Sequence, residues 1–207
     1  MGVIMNNKTA FILSFCLFLL HVMVIPSQSC VGRILTVSTN ESIEQKLMGQ
    51  LLATYITERT GTTVNIITAA DVDVCEEQIK QCKADIFINY LNVGLANIYG
   101  TAAAGEDQEK YGLVKQHYIE TFDMVWLKPL GYKGPVVNDN GEESSKVSLA
   151  IPVTTREVLN RFPVLDRVVN KLGGRIDRKT LQRLIEAAKT DEPESVVRKF
   201  LKDQNLI

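Results

Sequence analysis

Three β-rich segments separated by two helical ones constrain this chain more than any other feature. "RILTVST", Arg33–Thr39, alternates and is rich in β-branched residues, which predicts a strand. Asn40 follows as the expected helix cap, with Glu41 and Glu44 in the first turn. Ile43, Leu47, Leu51 and Tyr55 then recur every four residues, and Met48, Leu52 and Ile56 fill the adjoining stripe. That spacing predicts a strongly amphipathic helix, ended by Gly61. "TVNIIT", Thr63–Thr68, is the second strand, and a short helix is expected over Cys75–Lys83. "ADIFINYL", Ala84–Leu91, is the third strand, and its continuous apolar run implies burial on both faces. Strand, helix, strand, helix, strand in this order demands a parallel sheet with right-handed crossovers.

The remainder extends the same plan. A short helix or turn is expected at Asn92–Tyr99, a helix at Glu109–Glu120, and strands at Phe122–Leu130 and Val147–Val153. Between those two strands the composition shifts: Gly131–Lys146 is polar and turn-rich, and reads as an exposed connection. Four helices close the chain, at about Thr155–Phe162, Val164–Leu172, Arg178–Thr190 and Pro193–Gln204. Asp177 can cap the third, and Pro193 suits the first turn of the last. The apolar faces of the last two helices are expected to pack on the sheet.

Before all this stands a leader. Ala10–Ile25 is almost unbroken apolar sequence, preceded by a single Lys8 and no acid. As a helix it would reach about 24 Å, short of the roughly 30 Å hydrocarbon core. Pro26 ends it, and Ser27 and Ser29 supply the small residues that a signal peptidase requires. Residues 1–29 therefore read as an export signal, with a short uncleaved anchor as the other reading. The expected domain is 30–207, with 22 basic and 24 acidic side chains once Lys8 has left. No basic face dominates, so nucleic acid is not an expected partner.

Cys16 leaves with the leader, and Cys30, Cys75 and Cys82 remain. Cys30 would be the first residue after the cut, where a bacterial lipoprotein carries its lipid, although "PSQS" before it departs from the usual lipobox. Within one helix, Cys75 and Cys82 would lie about 10.5 Å apart, beyond the roughly 7 Å reach of a disulfide. A bridge would need one of them outside the helix; otherwise both are free thiols. With no CxxC and one histidine beyond the leader, His117, no metal site is expected. The chain has no GxSxG, phosphate-cradling GxxxxGK[ST], HExxH or GxGxxG. Neither an enzymatic function nor a cofactor is expected.

Five strings in sequence carry a resemblance. "VSTNESIEQKLMGQLLATYI" (Val37–Ile56) is similar to an opening strand, turn and helix written G-S-K-x-F-T-E-Q. "CKADIFINYLNVG" (Cys82–Gly94) is similar to G-x-I-D-x-Y-x-E-Y-T-G, and "FDMVWLKPLGYKG" (Phe122–Gly134) to x-x-L-V-W-L-x-P-x-G-F-N-N. Ile151–Asp177 and the terminal "PESVVRKFLKDQNLI" resemble the closing segments of the same set. Together these resemble the substrate-binding proteins of ABC importers for glycine betaine, choline and related osmoprotectants.

The resemblance implies a periplasmic-binding-protein type II-like α/β fold, its mostly parallel sheet flanked by helices. It also implies a small quaternary-ammonium or amino-acid-like solute, an ABC permease as partner, and work in the periplasm or on the outer face of the cytoplasmic membrane. One departure matters most. Family members carry a second lobe of about 100 residues where this chain has only Gly131–Lys146. A single lobe is expected here, with half a cleft, and a second chain or dimer mate could complete it. Carried over by alignment, Tyr90 becomes a wall of an aromatic cage that attracts ammonium groups, and it is equally allowed as a packed strand end. Asn40 and Glu41 fall on the turn that would line the cleft, where backbone N–H groups can meet a carboxylate. Asn89 and Asn92 replace the family's Glu and Gly-adjacent Thr region. Trp126 matches a family tryptophan, but a strand tryptophan is more often a core residue. The other function consistent with one lobe is a periplasmic sensor or protein-interaction module.

Overall fold

The computed structural model describes residues 34–100, 106–134 and 147–207. The leader, Cys30 and residues 135–146 of the expected connection lie outside the described residues. The first five elements are β1 (Ile34–Asn40), α1 (Ile43–Thr60), β2 (Thr63–Ala69), α2 (Val72–Lys80) and β3 (Ile86–Tyr90). β1 pairs in parallel with β2 and with β3, so Val37 has Ile66 on one side and Ile86 on the other. The two crossovers predicted from the helix–strand alternation are α1 and α2.

After β3 come α3 (Leu91–Tyr99), α4 (Asp107–Thr121), β4 (Met124–Trp126), β5 (Lys133–Gly134) and β6 (Ser148–Thr155). The main sheet runs β2-β1-β3-β6-β4. β6 is antiparallel to both β3 and β4. β1, β2, β3 and β4 therefore share one direction and only β6 opposes them in this sheet. β5 pairs with β6 off the main path. The chain ends in α5 (Arg156–Arg161), α6 (Leu165–Val169) with a 3-10 turn, α7 (Arg178–Ala187) and α8 (Pro193–Asp203).

The sheet divides two apolar cores. Along β3, Ile86, Ile88 and Tyr90 join α1 and the C-terminal helices, while Phe87 joins α2, α3 and α4 on the other face. This alternation is the period-2 geometry of a strand. Every β3 side chain is buried, as its apolar run implied.

Several boundaries differ from the expected ones. Ser42, not Asn40, caps α1: its hydroxyl accepts from the Gln45 N–H at 3.3 Å, while Asn40 Oδ1 accepts from the Ser42 N–H at 3.0 Å. Asn40 itself completes β1. α2 begins three residues before Cys75, because Asp71 Oδ1 accepts from the Val74 N–H at 2.7 Å and nucleates the turn. β4 keeps only three residues of the expected Phe122–Leu130 strand. Beyond Trp126 the pairing thins to single bonds, Leu127 N–H to Pro152 O and Leu130 N–H to Ala150 O, since Pro129 and Pro152 have no N–H to give.

The segment read as an exposed connection starts differently. Tyr132 is 2% exposed, and Lys133 and Gly134 form β5. Gly131, at φ +106, lies against the Gly174 backbone, where any Cβ would sit 3.1 Å from it. α1 also differs, being buried nearly all round rather than along one stripe, because α7 and α8 pack chiefly on it and not on the sheet. Gly49 permits α1 its closeness to β1: a Cβ there would meet Thr39 Cγ2 at 2.1 Å. Cys75 and Cys82 are both free; Cys75 is buried in α2 and Cys82 is exposed past its end. No described helix is long and apolar enough to cross a membrane.

Candidate functional site

The C-terminal ends of parallel strands are where open α/β sheets bind ligands. Here those ends are the β1–α1 turn, the β2–α2 turn and the β3–α3 junction. Asn40, Glu41 and Ser42 form the first. Glu41 is largely exposed and pairs with Lys46. Tyr90 is the last residue of β3, and Asn92 lies in the first turn of α3 with its backbone N–H donating to Ser148 Oγ at 3.0 Å. The four residues singled out in the sequence thus fall at or just past the C-terminal ends of the neighbouring parallel strands β1 and β3.

They are unlike in exposure. Asn40 and Asn92 are half-buried and Glu41 is exposed. The Tyr90 ring is 2% exposed and belongs to the α1-side core. The ring therefore presents almost no surface.

Two residues that the sequence reading missed act on the Tyr90 phenol. Gln45, in the first turn of α1, donates from Nε2 to the Ile88 carbonyl at 3.0 Å, which fixes its side-chain oxygen in place. That oxygen, the Tyr90 hydroxyl and the Tyr132 hydroxyl are all buried. Burial pushes the Tyr90 phenol well above its usual range, and neighbouring Tyr132 adds to this, while a side-chain interaction with Gln45 works against it. Tyr132 is pushed up to about 12, first by burial and then by Glu44, with Arg178 opposing. The signal for Gln45 was its place in the "NESIEQ" turn. Tyr132 carried none, because it sat in a segment read as solvated.

A second polar group lies across the sheet. The Glu76 carboxylate, 4% exposed, accepts from Asn89 Nδ2 at 3.2 Å and the Tyr118 hydroxyl at 3.1 Å, and pairs with Lys80 at 3.0 Å. Asn89 Oδ1 in turn accepts from the Tyr90 N–H at 2.7 Å. The end of β3 is thereby tied to α2 and α4. Trp126 is fully buried in that core, 5.1 Å from the Tyr118 ring at 64°. It has the core role of a strand tryptophan. Among the described residues no group of three or more His, Cys, Asp or Glu side chains could hold a metal ion.

No protein-family model matches the chain, and no curated protein does. Solved structures do. A glycine betaine/carnitine/choline ABC transporter protein superposes with TM-score 0.73 at 14% identity, over 85% of this chain and 99% of that one. Apo YehZ from Escherichia coli gives 0.70 at 14% identity, over 84% and 99%. This chain has the fold of ABC-importer binding proteins. Lactococcal OpuAC, in its closed form complexed with glycine betaine, gives TM-score 0.54 at 10% identity over 84% and 96%. The mixed α/β sheet with its flanking helices is thus the binding-protein-like fold that the five strings implied.

Proposed function

We propose that the chain is the extracytoplasmic solute-binding component of an ABC importer for osmoprotectant-type solutes, small quaternary-ammonium or amino-acid-like zwitterions. One observation carries the reading: Asn40, Glu41, Tyr90 and Asn92 gather at the C-terminal ends of β1 and β3, on a fold shared with such binding proteins. A solute carboxylate would meet the N-terminal turn of α1, where the helix dipole favours negative charge. The cationic head would lie toward Tyr90. Asn92, fixed to Ser148, would form the rim. The leader 1–29 fits export to the periplasm or the outer face of the cytoplasmic membrane, and Cys30 would be the residue for lipid anchoring. An ABC permease is the expected membrane partner. A second chain or dimer mate would supply the opposing wall.

Calorimetric titration of the mature protein with glycine betaine, choline, carnitine and proline tests this. Heat and a thermal shift with at least one are expected. Silence with all four overturns the reading. Mass spectrometry of the exported protein checks the anchor: a lipidated Cys30 at the N-terminus is expected, and an unmodified one removes it.

Burial of the Tyr90 ring favours a second reading, a periplasmic sensor or protein-interaction module. Recovery of a membrane sensor rather than a permease in a pull-down, with no solute heat, would select it.

A further inference from the structure

β2 (Thr63–Ala69) ends the strand order β2-β1-β3-β6-β4, so among the described residues it has a strand on one side only. Its pairing with β1 keeps an unbroken register through all seven residues, from Ile34 opposite Thr63 to Asn40 opposite Ala69. About half of its backbone N–H and C=O groups therefore face away from β1, a row of unpaired groups that is a template for another strand. Proteins that keep such an edge solvated blunt it with Lys, Pro, a bulge or a short length. β4, at the opposite end of the sheet, is blunted in this way: it has three residues, and Arg156 pairs with Asp123 just before it. β2 carries none of these devices. Its sequence, TVNIITA, has no charge and no proline, and five of its seven residues are β-branched, the type that a pleated surface favours. Thr63, Asn65, Ile66 and Thr68 are exposed, Ile66 to 37%.

We propose that this edge is an interface between two copies of the chain, which pair β2 antiparallel about a two-fold axis centred on Ile66 and continue one sheet through both. That axis sets Ile66 opposite Ile66, Asn65 opposite Ile67, Val64 opposite Thr68 and Thr63 opposite Ala69. None of these cross-strand pairs brings like charges together. The flanks select a second copy over a foreign strand. Arg59, exposed in the last turn of α1, leads into β2, and Asp71 and Asp73 follow it at the start of α2. Glu58, beside Arg59, is already paired with Arg198. An antiparallel mate lays the basic end of one β2 beside the acidic end of the other, twice over by symmetry, whereas a parallel mate would bring like ends together. The same geometry turns the candidate sites of the two copies in opposite directions, because each lies at the C-terminal ends of its own parallel strands. Both sites stay open in this dimer, so the wall facing Asn40 and Tyr90 falls to a different chain and not to this mate. The interface needs no solute and holds independently of the solute-binding reading.

Sedimentation velocity of the mature protein tests this, with a thiol reductant present so that cysteines cannot link copies. One strand pair makes a small interface, so a monomer–dimer equilibrium is expected between about 1 and about 200 μM. Ile66→Lys places two like charges face to face at the centre and should weaken the dimer at least tenfold, with circular dichroism unchanged. Arg59→Glu and Asp73→Lys should each weaken it severalfold, and the two together should restore most of the wild-type affinity. A chain that stays monomeric throughout the range overturns the inference, as does a dimer that Ile66→Lys leaves intact. Charge changes that weaken the dimer singly and weaken it further together also overturn it. If Ile66→Lys does not fold, the Arg59 and Asp73 variants decide, since both side chains are exposed.

Discussion

Gly94 shows how one atom's worth of space fixes the α2–α4 side of the sheet. A Cβ at this position would stand 2.5 Å from Trp126 Cη2 and 3.1 Å from Val114 Cγ1. The indole is fully buried and packs edge-on against the Tyr118 ring. Gly94→Ala should cost about 1–3 kcal/mol of stability by overpacking, read as a lower urea midpoint at unchanged slope. Ser42 acts through a single oxygen. Ser42→Ala removes the acceptor for the Gln45 N–H and should cost about 1 kcal/mol, whereas Ser42→Asp should largely retain the cap. Residues such as these were legible to different degrees. Trp126 was readable as core, and the Asp177 cap was readable from its position. The Ser42 cap was displaced by two residues because Asn40 also has a capping side chain, and only the backbone path decides which oxygen meets which N–H. Gln45 and Tyr132 were passed over because nothing local separates a buried glutamine or tyrosine from an exposed one.

At the scale of elements, the Glu76 group joins α2, β3 and α4 through one carboxylate. Glu76→Ala would leave Asn89 Nδ2 and the Tyr118 hydroxyl buried without acceptors, at about 1–3 kcal/mol for each unpaired group. Loss of about 3 kcal/mol is expected in denaturant unfolding, and Glu76→Gln should lose less because it retains one acceptor oxygen. The Tyr90 N–H bond to Asn89 means that this change should also loosen the β3–α3 junction, seen as faster amide exchange there. α1 is the element whose surroundings the sequence misrepresented. Its apolar stripe was plain, but Thr54, Ala53 and Gly49 are buried too, since α7 and α8 cover the side turned away from the sheet. Periodicity records that a helix has an apolar face. It does not record that two later helices will close over the rest.

Over the whole molecule, titration of the tyrosines sets an alkaline limit. Burial raises the phenols of Tyr90, Tyr118 and Tyr132, the last to about 12, above the ordinary value near 10. The fold therefore holds these protons more tightly than the unfolded chain. Stability is unaffected below pH about 10 and falls as pH climbs from there toward 12. Tyrosinate absorbance from these buried rings should appear late and together with loss of structure, and Tyr132→Phe should move that transition to higher pH.

The order of strands and helices, the two-face burial of β3 and the α/β class followed from the sequence, because hydrophobic period and helix-ending residues are local properties of a chain. That Asn40, Glu41, Tyr90 and Asn92 would share one end of the sheet followed too, once a parallel sheet was granted. Only the tertiary structure decided that β6 would run against its neighbours, that α7 and α8 would cover α1, and that Gln45, Tyr90 and Tyr132 would all be buried. Those outcomes rest on contacts between segments tens of residues apart, where packing and the need to pair buried polar groups act on the folded chain alone.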